Sequence, residues 1–277
     1  MIKLICTDID GTLLNKQREV DDYTIKVFAQ LDKSIRVVLA SSRMPKALWH
    51  IQKNLSIEQM PLICYNGALV LSLGVSFDPE KVISSITISA KTINQIMGLA
   101  DLHHVHISIF QNNTWMVSNL DFYAEREINN TQVRPDSLLK DLSAEGLHNF
   151  IGKGAHKIMI MGKPELIDVI EKSLGTDPAL SIWRSKDIYL EVTPHTNKSE
   201  GLKILLENFP DYVGITLDEV MAFGDSYNDL ELLKDVKFGI AVGNGVPAIK
   251  EISYAVTKPN IEHGVAYYLA NFFEKGD

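Results

Sequence analysis

Cysteine is nearly absent from this chain of 277 residues: Cys6 and Cys64 are the two present, each inside an apolar run (Leu4-Ile5-Cys6 and Leu62-Ile63-Cys64). Two such thiols exclude a disulfide framework and read as buried structural residues in a reducing compartment. Long apolar runs are also lacking, and none approaches the roughly 20 residues of a membrane span. The amino-terminal run carries one lysine and meets Asp8 within a few residues, unlike a secretory leader. The expectation is a soluble, cytoplasmic protein. Positive charge is in deficit, with 27 Lys+Arg against 35 Asp+Glu and a formal charge of -8. That balance argues against nucleic acid or an anionic membrane as the main partner. It leaves room for a small anionic substrate, because a site can be locally positive on an acidic protein. Neither an internal repeat nor a low-complexity tract occurs. What is present, 45% hydrophobic and 22% charged residues, is the composition of an ordinary folded chain, long enough for one large α/β domain or two modest ones.

Apolar patterning divides the chain in three. Ile2 to Cys6, Ile35 to Ala40 and Pro61 to Cys64 are short continuous apolar runs, as in buried parallel strands. Between them, Ile25, Phe28 and Leu31, and then Leu48, Ile51 and Leu55, fall at helical spacing. This order predicts a parallel sheet with crossover helices. From about Lys81 the strands alternate instead: Val105, Ile107 and Ile109 share one face, and His104, His106 and Ser108 share the other. Helix followed by two strands occurs twice, over 92–117 and 164–192. That pattern predicts an antiparallel sheet with helices on one face. After Thr193 the parallel pattern returns, with a helix over Lys198–Asn208 and buried strands at Val220–Phe223 and Phe238–Val242. The expected architecture is α/β: a Rossmann-like parallel-sheet core (1–83 and 189–277) with an inserted α+β domain (84–188).

Polar residues fall where such a sheet binds ligands, beyond the carboxyl ends of its strands. Asp8-Ile9-Asp10-Gly11-Thr12 follows the first strand, and Ser41-Ser42-Arg43 the second. Gly224-Asp225-Ser226-Tyr227-Asn228-Asp229 follows Val220–Phe223, and Lys198 opens a helix as the chain returns from the insertion. Together with Tyr65-Asn66-Gly67-Ala68, Asn197-Lys198 and His263-Gly264-Val265-Ala266, this set in this order resembles the haloacid dehalogenase superfamily. The insertion is similar to the C2B cap of its Cof-type phosphatases, and the resemblance covers essentially the whole chain.

The resemblance implies Mg2+-dependent hydrolysis of a small phosphorylated metabolite, a sugar phosphate in the first instance. Asp8 would be the nucleophile, giving an aspartyl-phosphate, and Asp10 the general acid and base. Lys198 would balance charge on Asp8 and on the transferring group. Phosphate would be held by Ile9, Ser41, Ser42, Lys198 and Asn228. Asp8, Asp10 (through its main-chain carbonyl) and Asp225 would hold the metal, with Asp229 orienting a metal-bound water. The cap would close over the core and exclude bulk water. Two departures stand out: Ser42 replaces the usual glycine at the second station, and Ser199 the usual glycine after Lys198.

Plainer readings stand beside these. Asp-Gly is a common turn dipeptide, Asp225 or Asp229 can cap a helix, Ser41 can do the same, and a lysine is most often solvated. Asn66-Gly67 reads equally as a structural turn. His103, His104 and His106 lack the spacing of a zinc set and read as solvent-facing residues. Trp115 and Trp183 read as sheet packing. Two other functions share the pattern: a phosphomutase of the same superfamily, and a non-catalytic binding module on the same fold.

Overall fold

The computed structural model describes residues 1–74 and 77–274, and the chain divides into two compact units, 1–84 with 197–277 and 85–196. The first unit is built on a sheet in the order β14-β13-β12-β1-β2-β3-β4-β5. Its strands are β1 (Leu4–Thr7), β2 (Arg36–Ala40), β3 (Leu62–Cys64), β4 (Leu69–Leu71), β5 (Val82–Ser85), β12 (Val220–Gly224), β13 (Phe238–Ala241) and β14 (Ala255–Val256). From β14 to β3 every pairing is parallel, and β4 turns back antiparallel on β3. Helices α1 (Asp22–Gln30), α2 (Trp49–Asn54), α7 (Lys198–Asn208), α8 (Leu230–Asp235), α9 (Pro247–Ile252) and α10 (Gly264–Glu274) connect or follow the strands. Leu4, Ile5, Val38, Leu39, Ile63, Val220 and Ala222 are fully buried, as expected of strands packed on both faces. Each large aliphatic side chain so buried contributes about 1.5–3 kcal/mol.

Register aligns the strand ends. Thr7 of β1 lies opposite both Leu39 and Phe223, and Ala40 lies opposite Ile63. The residues that follow β1, β2, β3 and β12 therefore emerge at one level of one rim. Cys6 and Cys64 are free and buried in this sheet, and burial pushes the Cys6 thiol up to about 12, so neither is a nucleophile at neutral pH. Among the described residues no helix is long and apolar enough to cross a membrane.

The second unit carries a sheet in the order β10-β11-β9-β6-β7-β8. Its strands are β6 (His106–Gln111), β7 (Thr114–Val117), β8 (Ser137–Leu138), β9 (Lys157–Met161), β10 (Leu180–Lys186) and β11 (Tyr189–Pro194), antiparallel except at β7–β8. The division on the return side falls at 196/197, not at 188/189 as the sequence pattern suggests. The reason is β11: it pairs along Tyr189–Val192 with β9 and so belongs to the inserted sheet.

Helices α3 (Ala90–Leu102), α5 (Ala144–Gly152) and α6 (Pro164–Leu174) bury Ile93, Ile96, Phe150, Ile167 and Ile170 against Ile107, Ile109, Ile158 and Ile160. The opposite face, expected to be solvated, is partly covered by α4 (Phe122–Thr131). His106 is 3% exposed and Ser108 fully buried, because α4 begins over them. Asp121, the α4 N-cap, holds His106 Nδ1 through Oδ2 at 2.9 Å, and His106 Nε2 meets Ser108 Oγ at 2.9 Å. His104 is exposed and His103 half-buried, as expected of solvent-facing residues, but His106 is not, and burial lowers its pKa against the opposing pull of Asp121. Trp115 is fully buried, stacked on Phe110 at 5.4 Å, whereas Trp183 is 50% exposed.

His156, 1% exposed, sets a pH limit on the second unit. Its Nδ1 accepts the Asn112 N–H at 3.0 Å, so the proton sits on Nε2, which donates to Ser85 Oγ at 3.0 Å. Burial pulls its pKa from 6.5 down to about 4. The unfolded chain then binds the extra proton between these values, so the stability present above pH 6.5 is lost as pH falls toward 4, by at most about 3 kcal/mol. Replacing His156 with Gln is expected to flatten that part of the Tm-against-pH curve; an unchanged slope would contradict the assignment.

Candidate active site

Four strand ends and one helix start meet on the rim of the first unit. Asp8 leaves β1 with its N–H bonded to Phe223 O of β12 at 3.0 Å, and it is 5% exposed. The following loop turns on Gly11 at φ +84°, where a Cβ would lie 2.6 Å from Asp225 Oδ2. Only glycine fits both that backbone and that approach. Thr12 Oγ1 donates to Asp225 Oδ1 at 3.0 Å, tying the two acidic loops together. Asn244 donates to Gly11 O, and Asn260 to Leu14 O, each at 2.8 Å, bracing the loop from the far end of the chain.

Lys198 is the first residue of α7, whose N-cap Asn197 accepts the Glu200 N–H at 2.9 Å. The ammonium is fully buried, donating to Asp229 Oδ1 at 2.6 Å and to Asp8 Oδ1. Asp229 is also fully buried; its Oδ2 accepts the N–H groups of Asp225 and Ser226 at 3.0 and 3.1 Å. Both Asp229 oxygens are thus committed to the protein. Asp225 stands between, with Thr12 on one oxygen.

Ligand oxygens of Asp8, Asp225 and Asp229 lie within 4.8 Å of one another. One lysine does not balance three carboxylates. Burial, with Asp229 and Asp225 nearby, pushes the Asp8 carboxyl well above its usual range even though Lys198 opposes the shift. Burial and Asp229 push Asp225 up to about 6. Burial opposes the charge on Lys198, but Asp229 and Asp8 together raise its pKa, so it stays cationic. A cluster of oxygen donors with surplus negative charge fits a hard divalent cation such as Mg2+. The Asp10 carboxylate lies outside this cluster, and the expected Asp10 ligand is its main-chain carbonyl; Asp229, with both oxygens bonded within the protein, braces the cluster from behind.

Asp10 instead faces Arg43. The guanidinium forks across its carboxylate, Nε to Oδ2 and Nη2 to Oδ1, both at 2.7 Å, and Arg18 Nη1 reaches Oδ1 at 3.3 Å. Arg43 is 5% exposed and the Asp10 side chain 40%, so a buried guanidinium holds a partly solvated carboxylate by two charge-assisted hydrogen bonds. From the sequence alone only the position of Arg43 after the second strand is evident, not its partner. Ser41, 1% exposed, accepts the Arg43 N–H on its Oγ at 3.2 Å. Ser42 is half-buried and is not among the residues of positive φ, so its Cβ fits without strain. Ser199 has a use of its own: its Oγ donates to Asp235 Oδ2 at 2.6 Å and joins α7 to α8. Asn228 Nδ2 donates to Asn66 Oδ1 at 3.1 Å. Ile9 is fully buried behind Asp8.

A sequence model of haloacid dehalogenase-like hydrolases matches residues 5–269. A Haemophilus influenzae protein provisionally named a phosphatase is 32% identical over 99% of both chains. The 5-amino-6-(5-phospho-D-ribitylamino)uracil phosphatase YitU of Bacillus subtilis is 26% identical over 98% of this chain and 97% of its own. The crystal structure of a haloacid dehalogenase-like hydrolase from Bacteroides thetaiotaomicron superposes with a TM-score of 0.84 at 25% identity, covering 99% of this chain and 100% of that one. The chain belongs to the haloacid dehalogenase-like hydrolases; it is an enzyme, and curated relatives matching its full length carry phosphatase names.

Gly11→Ala is expected to place a methyl group against Asp225 at a left-handed φ. Strain of about 1–2 kcal/mol and a displaced carboxylate should lower turnover at least 10-fold while the fold persists by circular dichroism. Near-normal turnover would show that the close approach is not needed.

Proposed function

We propose that this enzyme hydrolyses a small phosphate monoester, with a sugar phosphate or sugar-alcohol phosphate as the substrate class, through an aspartyl-phosphate on Asp8. The observation that carries the reading is the convergence of Asp8, Lys198, Asp225 and Asp229 on one buried rim, with Ser41 at the next strand end. Mg2+, held by Asp8 and Asp225, would neutralise the charge that an anionic ester brings to an anionic nucleophile. Lys198 fixes the Asp8 carboxylate and opposes its protonation in a desolvated site. Asp8 attacks phosphorus and the ester oxygen leaves with a proton from Asp10; Asp10 then takes a proton from the water that releases phosphate. Ser41, the Ser42 and Ile9 backbone, and Asn228 bind phosphate oxygens.

Asp229 holds Lys198 and the Asp225 loop, which is a supporting role. Arg43 orients Asp10, which must be released to serve the leaving group. Residues 1–84 and 197–277 carry the chemistry, and the inserted unit selects the substrate. The relative named for a phosphorylated ribitylamino uracil supports a polyhydroxylated phosphate ester as the class to test first.

The test is phosphate release from a panel of sugar phosphates, nucleotides and p-nitrophenyl phosphate, with Mg2+ and then with EDTA. Turnover should need the metal and fall at least 1,000-fold in Asp8→Asn, on the order of other lost nucleophiles. Activity that survives EDTA or Asp8→Asn would overturn the reading. Isomerisation of a sugar phosphate that needs an added sugar bisphosphate, without phosphate release, would place the enzyme among mutases.

A further inference from the structure

Tyr65, Asn66 and Gly67 follow β3 with φ of +52°, +54° and +99°. Two consecutive side-chain-bearing residues in the left-handed region, one aromatic, cost about 1–2 kcal/mol each, and such strain persists only where the surroundings impose it. The surroundings here are the catalytic stations. The Asn66 N–H donates to Ser41 O at 3.0 Å and the Tyr65 N–H to Arg43 O at 3.3 Å, so the loop is bonded to the backbone of the second station. Behind it, a Cβ on Gly201 of α7 would stand 3.0 Å from Gly67 Cα, which brings the helix carrying Lys198 into backbone contact with the loop. In front, Asn66 Oδ1 accepts from Asn228 Nδ2 at 3.1 Å, across 162 residues of sequence. Asn66 itself is 8% exposed.

We infer that Asn66 is a positioning residue: its buried carboxamide, held in a left-handed backbone by the Ser41 station, fixes the orientation of Asn228 in the metal-side loop. The inference rests on the functional reading above, in which Asn228 serves the phosphate. A free asparagine amide rotates about its last torsion and presents oxygen and nitrogen alternately. With Nδ2 committed to Asn66, the Asn228 amide keeps one face, so its remaining groups point one way at every turnover. Asparagine suits the post on two counts. It tolerates the left-handed backbone better than other side chains, and it offers a neutral acceptor beside a cluster already in surplus of negative charge. The backbone bonds of Tyr65 and Asn66 fix the acceptor to the phosphate-side loop. The pair thereby couples the Ser41 loop after β2 to the Asp225–Asp229 loop after β12, two strands that the sheet separates by β1.

The test is a double-mutant cycle on the intact enzyme with Asn66→Gly, Asn228→Ala and the double variant, using Mg2+ and p-nitrophenyl phosphate or the best ester of the panel. Asn66→Gly relieves the backbone and removes only the acceptor, so Tm should hold or rise while kcat/KM falls about 10-fold or more, the usual cost of losing a supporting hydrogen bond to a site group. The double variant should be no worse than Asn228→Ala alone, because Asn66 acts only through Asn228. Asn66→Asp keeps the acceptor but adds charge to the acidic cluster, so it should lose kcat/KM as well, and the loss should shrink as pH falls and the new carboxylate is protonated. Additive losses in the cycle, or an Asn66→Gly enzyme with unchanged kcat/KM, would overturn the inference while leaving the phosphatase reading intact. A wild-type enzyme with no Asp8-dependent turnover would overturn the functional reading first, and this inference with it.

Discussion

The ammonium of Lys198, fully buried between Asp8 and Asp229, is the contact on which the site is organised. Taking these charges out of water costs several kcal/mol per ion, and the pair is therefore not an obvious source of stability. Its placement is also poor for the helix: a cation in the first turn of α7 opposes the helix dipole. A feature that serves neither folding nor the helix is best explained by what it does to Asp8. It holds a desolvated carboxylate in one orientation and opposes the upward pull of burial and of the neighbouring carboxylates on its pKa. Remove the lysine, and three carboxylates share a dry pocket with no counter-charge of the protein's own.

The constraint propagates outward. For Lys198 to reach Asp8, the chain must come back from the inserted unit at the rim where β1 ends, and Asn197 must start the helix there. For Asp229 to receive the lysine on one oxygen, its other oxygen must cap its own loop, which it does through the Asp225 and Ser226 N–H groups. Gly224 leaves no room for a Cβ beside Asp229, and Gly11 leaves none beside Asp225. The acidic loops are thus packed backbone to side chain. Small displacements would break several contacts together, which suits a site that must present fixed charges to a reacting group.

Much of this was legible in the sequence because the relevant signals are local. A buried apolar run followed at once by Asp-x-Asp-Gly-Thr, or by Gly-Asp-Ser-x-Asn-Asp, names both the strand and the loop at its end. Lys198 was legible from motif order alone. What was not legible depends on pairs distant in sequence: Arg43 with Asp10, 33 residues apart, and Asn66 with Asn228, 162 apart. No periodicity encodes such contacts. The expected return boundary at 188/189 cuts through a strand that the helix–strand–strand pattern over 164–192 already gives to the inserted sheet, and the pairing of β11 with β9 and β10 moves it to 196/197. Helix α4 was missed because Phe122–Thr131 buries little beyond Ala124, Ile128 and Thr131, so its pattern is weak although it covers His106 and Ser108.

The claim at the centre of this account is that Asp8 receives the phosphoryl group while Lys198 holds it in place. Rapid acid quenching during turnover, followed by mass spectrometry of the amino-terminal peptide, addresses it directly. The account predicts one phosphoryl group on Asp8 within the first turnover, absent from Asp8→Asn and strongly reduced in Lys198→Met. Turnover with no phosphoryl group on Asp8, or with one carried by a different residue, would contradict it.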